Sequence, residues 1–197
     1  MNLSYTKKVF PSGLKVVFRR MKSPLVTLNL WARVGVKDEE PVQIGISHFF
    51  EHMVFKGTTN YPGLEISRQV QAIGGNINAG TSLDTTDFYI VVPNNHWEKS
   101  LELIIDLVNN PLFNPIDIER EKKVIIQEIH LDEDDPEEKL ATTLYHEVFS
   151  GTPYERSILG SKDTIAHLKR ENFIYHQEYF YHPSNLTLVV CGDLPEN

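Results

Sequence analysis

His48-Phe49-Phe50-Glu51-His52 lies inside a stretch, about Val42 to Lys56, whose apolar pattern reads as helical, with Gly57 placed to terminate it. On a helix, residues three and four apart share a face, so His48 and His52 project together and Glu51 lies on the same side. Two neutral imidazoles one turn apart can bind zinc at about 2.0–2.1 Å each. A carboxylate between them, not itself a ligand, can take a proton from a water that the metal polarises and later give it to a leaving amine. The order His-x-x-Glu-His reverses the commoner His-Glu-x-x-His and serves the same end. Phe49, Phe50, Met53, Val54 and Phe55 make the segment strongly apolar. Three ionisable groups on a largely buried helix are costly unless something compensates them, and a metal would.

A third protein ligand is needed, because catalytic zinc commonly keeps three and leaves a position open. The candidate lies in Arg120-Glu121-Lys122-Lys123-Val124-Ile125-Ile126-Gln127-Glu128. Seven residues make nearly two helical turns, so Glu121 and Glu128 face the same way, with Val124 and Ile125 expected between them. Two glutamates in an apolar stripe are anomalous for a plain core helix. Glu128 reads as the ligand and Glu121 as a carboxylate supporting the site from behind. His96, His130, His146, His167, His176 and His182 have no paired spacing and read as surface or packing residues.

Around these two helices the chain alternates between strands and helices. Pro11-Ser12-Gly13 reads as a turn between two short strands, the second covering Leu14 to Phe18. From Val26 to Val34 the residues alternate, with Val26, Leu28, Leu30 and Ala32 on one face and Thr27, Asn29, Trp31 and Arg33 on the other. Lys37-Asp38-Glu39-Glu40-Pro41 reads as a polar connection. A helix is expected from Pro62 to about Ile73, then a strand pair, Asn76 to Ser82 and Thr86 to Val92. His96 to Val108 is amphipathic. Asn114-Pro115-Ile116-Asp117 reads as a capped helix start, with Asp117 completing a capping-box-like pair and the helix running to about Leu131. Asp132 to Pro136 interrupts it before a further helix to about Phe149. Ser161 can cap a short helix to Leu168, and a further helix from Glu171 to Phe180 leads to a last strand, Leu186 to Cys191. The expected fold is α+β, an antiparallel sheet packed against helices, with residues 1–197 as one domain.

Composition narrows the function classes. Of the 197 residues 41% are hydrophobic and 23% charged, an ordinary globular balance. The formal net charge of -8 argues against a nucleic-acid surface, which needs a basic patch to neutralise phosphates. No segment approaches 18 apolar residues, so no membrane span is expected. The start, Met1 to Lys8, does not read as a signal peptide, and a cytoplasmic location is the default. The single cysteine, Cys191, cannot form an internal disulfide and reads as a small core residue.

The sequence resembles the N-terminal half of the pitrilysin–insulysin–mitochondrial processing peptidase family. The resemblance rests on His48 to Thr58, on the Glu121 and Glu128 pair at its distance from the histidines, and on Gly74-Gly75-Asn76-Ile77-Asn78-Ala79-Gly80-Thr81-Ser82. Gly151 to Gly160 and the ending Leu188-Val189-Val190-Cys191-Gly192-Asp193 also fit, so nearly the whole chain is covered. The resemblance implies His48, His52 and Glu128 as ligands of one zinc ion, Glu51 as general base and Glu121 as adjacent catalytic support. It implies that Asn78 and Ala79 lie on an edge strand to which a peptide substrate adds in extended form. It also implies a homologous second half, supplied by a C-terminal domain, a partner subunit or a second copy, without which hydrolysis is expected to be poor.

Two other readings are open. S-ribosylhomocysteine lyases resemble the histidine motif but complete their site with a cysteine, and the cysteine here falls in an expected core strand. A non-catalytic, zinc-binding partner subunit of a peptidase complex would keep the fold without the chemistry.

Overall fold

The structure, a computed structural model, describes residues 4–194. Met1-Asn2-Leu3, the start of the segment read above as lacking a leader, and Pro195-Glu196-Asn197 lie outside the described residues. In chain order the strands are β1 (Thr6–Val9), β2 (Lys15–Arg20), β3 (Leu25–Ala32), β4 (Asn76–Thr81), β5 (Thr86–Pro93) and β6 (Leu186–Gly192). The helices are α1 (Ile46–Val54), α2 (Glu65–Ala72), α3 (Trp97–Asn109), α4 (Pro115–Asp134), α5 (Pro136–Val148), α6 (Lys162–His167) and α7 (Arg170–Phe180).

The expected α+β architecture is present, with one difference in the sheet. Its order is β1-β2-β6-β3-β5-β4, and β2 and β6 run parallel while every other pair is antiparallel. Among the described residues, β6 follows all seven helices and inserts between β2 and β3, in the register Lys15 to Thr187 through Arg20 to Gly192. A parallel neighbour requires such a long crossover, which no local pattern announces.

Alternation in the strands builds one layer of the core. Val26, Leu28, Leu30 and Ala32 of β3 are buried, as read from the sequence, and Phe88, Ile90, Val92, Leu188 and Val190 continue that face across β5 and β6. Cys191 falls on the opposite, half-buried face, because the same alternation that turns Val190 and Gly192 inward turns its side chain out. It is therefore not the core residue expected.

α1 is the buried centre of the helical layer. Phe49 meets Phe173 of α7 edge-on with centroids 4.8 Å apart, and Phe50 stacks on Tyr181 at 4.3 Å. Burying a side chain of that size stabilises the fold by about 2–3 kcal/mol, so α1 is fixed by packing more than by its nine residues' own helix propensity. The helix starts at Ile46, later than the pattern suggested. Pro41–Gln43 forms a separate single turn, and Gly45 then adopts φ 96°, a left-handed conformation that breaks the path. α4 begins as expected, with Asn114 Oδ1 accepting from the Ile116 N–H. Asp117 completes no box and instead reaches Arg120 at 3.5 Å. Asp135 ends α4 and caps α5 by accepting from Glu137 and Glu138 N–H, which is the interruption read from Asp132 to Pro136.

Candidate metal centre

Three elements converge on one point. α1 presents His48, Glu51 and His52, α4 presents Glu121 and Glu128, and β4 ends there at Thr81. Among the described residues, one ligand atom each from His48, His52 and Glu128 lies within 4.8 Å of the others. Nε2 of His48 and Nε2 of His52 are each 3.8 Å from the same oxygen, Oε2 of Glu128. That is too long for a hydrogen bond, so the three atoms share a centre rather than bond one another. Tetrahedral ligand atoms at bonds near 2.0–2.1 Å lie about 3.3 Å apart, about half an ångström closer than the two histidine–Glu128 separations. Two imidazoles and a carboxylate are a donor set suited to zinc, and the residues fit that ion.

At His48 the electrostatics agree with this arrangement, whereas at His52 the neighbouring carboxylates favour a proton that a metal would have to displace from Nε2. Burial, then the neighbouring His52, lowers the His48 pKa to about 4, so its imidazole is neutral at pH 7, the state a ligand requires. Its Nδ1 is buried with no hydrogen-bond partner among the described residues. At His52, burial acts downward. The hydrogen bond to Glu121 and the charges of Glu128, Glu121 and Glu51 outweigh it and raise the pKa.

Glu121 explains how His52 is oriented. Its Oε1 is 2.9 Å from His52 Nδ1, and its Oε2 is 2.7 Å from Lys56 Nζ. Burial works against its charge, but the bonds from His52 and Lys56 prevail and hold it below the usual carboxylate range. An ionised carboxylate only accepts, so Nδ1 of His52 is the donor and the Nε2 lone pair faces His48 and Glu128. Glu121 is buried and Ile118, Ile125 and Ile129 flank it on α4, whereas Val124 is exposed. The apolar stripe thus runs one position away from where the sequence reading placed Val124.

Glu51 stands outside the three-ligand group. Its Oε2 accepts from Thr81 Oγ1 at 2.6 Å. Burial raises its pKa, the Thr81 bond and His52 oppose this, and the charges of Asp87 and Glu128 add to the rise. Such a carboxylate is a stronger proton acceptor than an exposed one.

Asn78 and Ala79 lie on β4, which ends the sheet order and, among the described residues, pairs only with β5. Beside Thr81 a cleft of about 470 Å³ opens between the β4–β5 turn at Ser82 to Asp84, Glu138 and Tyr145 of α5, and Arg156. Of the remaining histidines, His176 is buried against Phe50, Phe180 and Tyr181, a packing residue as read. Cys191 is not part of the three-ligand group, which removes the ground for the lyase reading. Lys56 and Thr81 had no role in the sequence reading, since their partners are distant in the chain and neither lies on a periodic stripe.

Comparison with known proteins places these features. The family described as insulinase (peptidase family M16) matches residues 15–162. An uncharacterized zinc protease of Rickettsia bellii is 36% identical over 169 residues, covering 86% of this chain and 41% of the relative. The crystal structure of a protease from Helicobacter pylori superposes with a TM-score of 0.94 at 25% identity, over 98% of this chain and 47% of that one. A peptidase M16 inactive domain from Pseudomonas fluorescens superposes at 0.91 with 18% identity, over 98% of this chain and 47% of that one, a likeness of fold alone. The chain spans less than half the length of these relatives.

Proposed function

Because this chain belongs to the insulinase family of peptidases (peptidase family M16), we propose that it is the zinc-holding domain of an endopeptidase that hydrolyses peptides or small unfolded polypeptides. The observation that carries this reading is the placement of Glu51 just outside a three-ligand group formed by His48, His52 and Glu128. A zinc ion held by those three residues supplies Lewis acidity toward a water molecule and the scissile carbonyl. Glu51 accepts the proton of the attacking water and passes it to the amine nitrogen as the peptide C–N bond breaks. Thr81 fixes the Glu51 carboxylate through one oxygen and leaves the other free for that transfer. Glu121 holds the His52 ring, and Lys56 keeps Glu121 ionised. Asn78 and Ala79, on the free edge of β4, are suited to receive the substrate backbone as an added strand, so that main-chain bonds bind it with little regard to its sequence.

The chain spans 41% of its Rickettsia bellii relative, and the second half of the substrate chamber belongs to the remaining length, a partner subunit or another copy. A subunit that holds zinc without cleaving is the competing reading, and the fold shared with an inactive domain is compatible with it. An intact set of ligands and base favours the peptidase. The test is hydrolysis of an unfolded reporter peptide by this chain, alone and mixed with the second half of a longer relative. Cleavage that appears on mixing, stops with a chelator and returns with zinc is expected. Bound zinc with no cleavage in the mixture would favour the partner-subunit reading.

A further inference from the structure

The start of α1 is held by a residue outside the metal motif. The helix has Gly45 at its N-cap, in a left-handed conformation with φ 96°, and a glycine has no side chain with which to cap. Nor can the position take one. A Cβ on Gly45 would lie 2.7 Å from the Leu159 carbonyl oxygen and 2.9 Å from the Gly160 Cα, both backbone atoms. The opposing Gly160, at φ 76°, is equally constrained, with its Cβ position 2.3 Å from the Ile44 carbonyl oxygen. The usual serine, threonine or aspartate cap is therefore excluded, and the first N–H groups of the helix need an acceptor from elsewhere.

Glu39 supplies it. Its Oε2 accepts from Gly45 N–H at 2.7 Å and its Oε1 from Ser47 N–H at 2.8 Å, so one carboxylate bridges the turn just before His48. The side chain is 5% exposed. Arg156, from the segment that backs Gly45, donates through Nη1 to the Glu39 carbonyl oxygen at 2.5 Å and leaves the carboxylate to the helix. A negative group at a helix N-terminus also meets the positive end of the helix dipole. Burial nevertheless pushes the Glu39 carboxyl up to about 7 despite the bonds from Ser47 and Gly45.

We propose that Glu39 is a positioning residue for the metal centre: through Gly45 and Ser47 it fixes the start of α1 and thereby the angle at which His48, Glu51 and His52 face α4. The proposal rests on the zinc reading given above. The test is zinc affinity, measured by competition with a chromophoric chelator, together with the visible spectrum of the cobalt-substituted protein. Glu39→Gln keeps the size of the side chain but replaces one of the two acceptor oxygens with an NH2 donor, so it cannot reproduce both bonds. Groups hydrogen-bonded directly to a metal's ligands typically change its affinity by 10- to 100-fold; Glu39 acts one step further out, through the helix backbone, so Glu39→Gln is expected to weaken zinc by about tenfold, the low end of that range, and to alter the cobalt spectrum. A folded Glu39→Gln protein with wild-type affinity and spectrum overturns the proposal, even with a lowered melting temperature, because that is what a merely structural cap predicts. If Glu39→Gln does not fold, Arg156→Ala keeps the carboxylate and loosens only its backbone. A severalfold loss of affinity in that variant supports the proposal, and none overturns it. A wild-type chain that binds no zinc overturns the zinc reading itself, whereas equal binding by wild type and variant overturns only the role of Glu39.

Discussion

Replacing Glu51 by glutamine lowers peptide hydrolysis by about 10²- to 10⁴-fold, the range a general base contributes, and leaves zinc bound. Glutamine has nearly the same shape and can still accept from Thr81 Oγ1, so the bond at 2.6 Å that orients the side chain is kept. What is removed is the capacity to take a proton from water and deliver it to the amine. The metal survives because Glu51 is not one of the three residues whose ligand atoms converge. Turnover of a reporter peptide and zinc content, measured on the same preparations in the presence of the second half, separate the two effects. A Glu51→Gln protein that keeps both zinc and activity assigns the base elsewhere, and one that loses zinc makes Glu51 a ligand.

The second large effect concerns stability in acid. His176 is 2% exposed, packed among Phe50, Phe180 and Tyr181, and its Nε2 has no partner among the described residues. Burial lowers its pKa from 6.5 to about 3, so the folded chain keeps the ring neutral where the unfolded chain protonates it. Between these values the unfolded state binds more protons. The stability associated with the neutral ring is complete above pH 6.5 and is lost progressively as the pH falls toward 3. From pH 6.5 to pH 4 the loss amounts to roughly 3 kcal/mol at 1.36 kcal/mol per pH unit. His48 is also held neutral and adds to the acid sensitivity of the wild type, so the informative quantity is a difference between proteins. Denaturant unfolding at pH 7 and pH 4 is expected to show His176→Leu losing about 3 kcal/mol less than wild type over that interval. Equal losses would mean that His176 is not held neutral in the fold.

Features carried by local periodicity were legible in the sequence. The pairing of His48 with His52, and of Glu121 with Glu128, follows from helical spacing, and the inward face of β3 follows from strict alternation. The caps at Asn114 and Ser161 were legible because a capping side chain lies within three residues of the N–H it accepts from. The features that escaped depend on partners far along the chain. Thr81 meets Glu51 thirty residues away. β6 pairs with β2 although the described helices all lie between the two in the sequence. Glu39 sits in the charged run Lys37 to Pro41, which in sequence is indistinguishable from a solvated connection. It becomes a buried helix cap because Gly45 and Gly160 approach too closely to admit any other. The expectation that Cys191 lies in the core failed for a related reason: an apolar run fixes that a strand is present, but register decides which face each residue takes.

His48, His52 and Glu128 are proposed to hold one zinc ion together, and metal content reads that directly. Elemental analysis of the purified chain after dialysis against zinc is expected to give one zinc per chain, falling to well below one when Glu128 alone becomes glutamine while the fold persists by circular dichroism. A wild-type chain without zinc, or a folded Glu128→Gln chain with its full complement, would contradict the account.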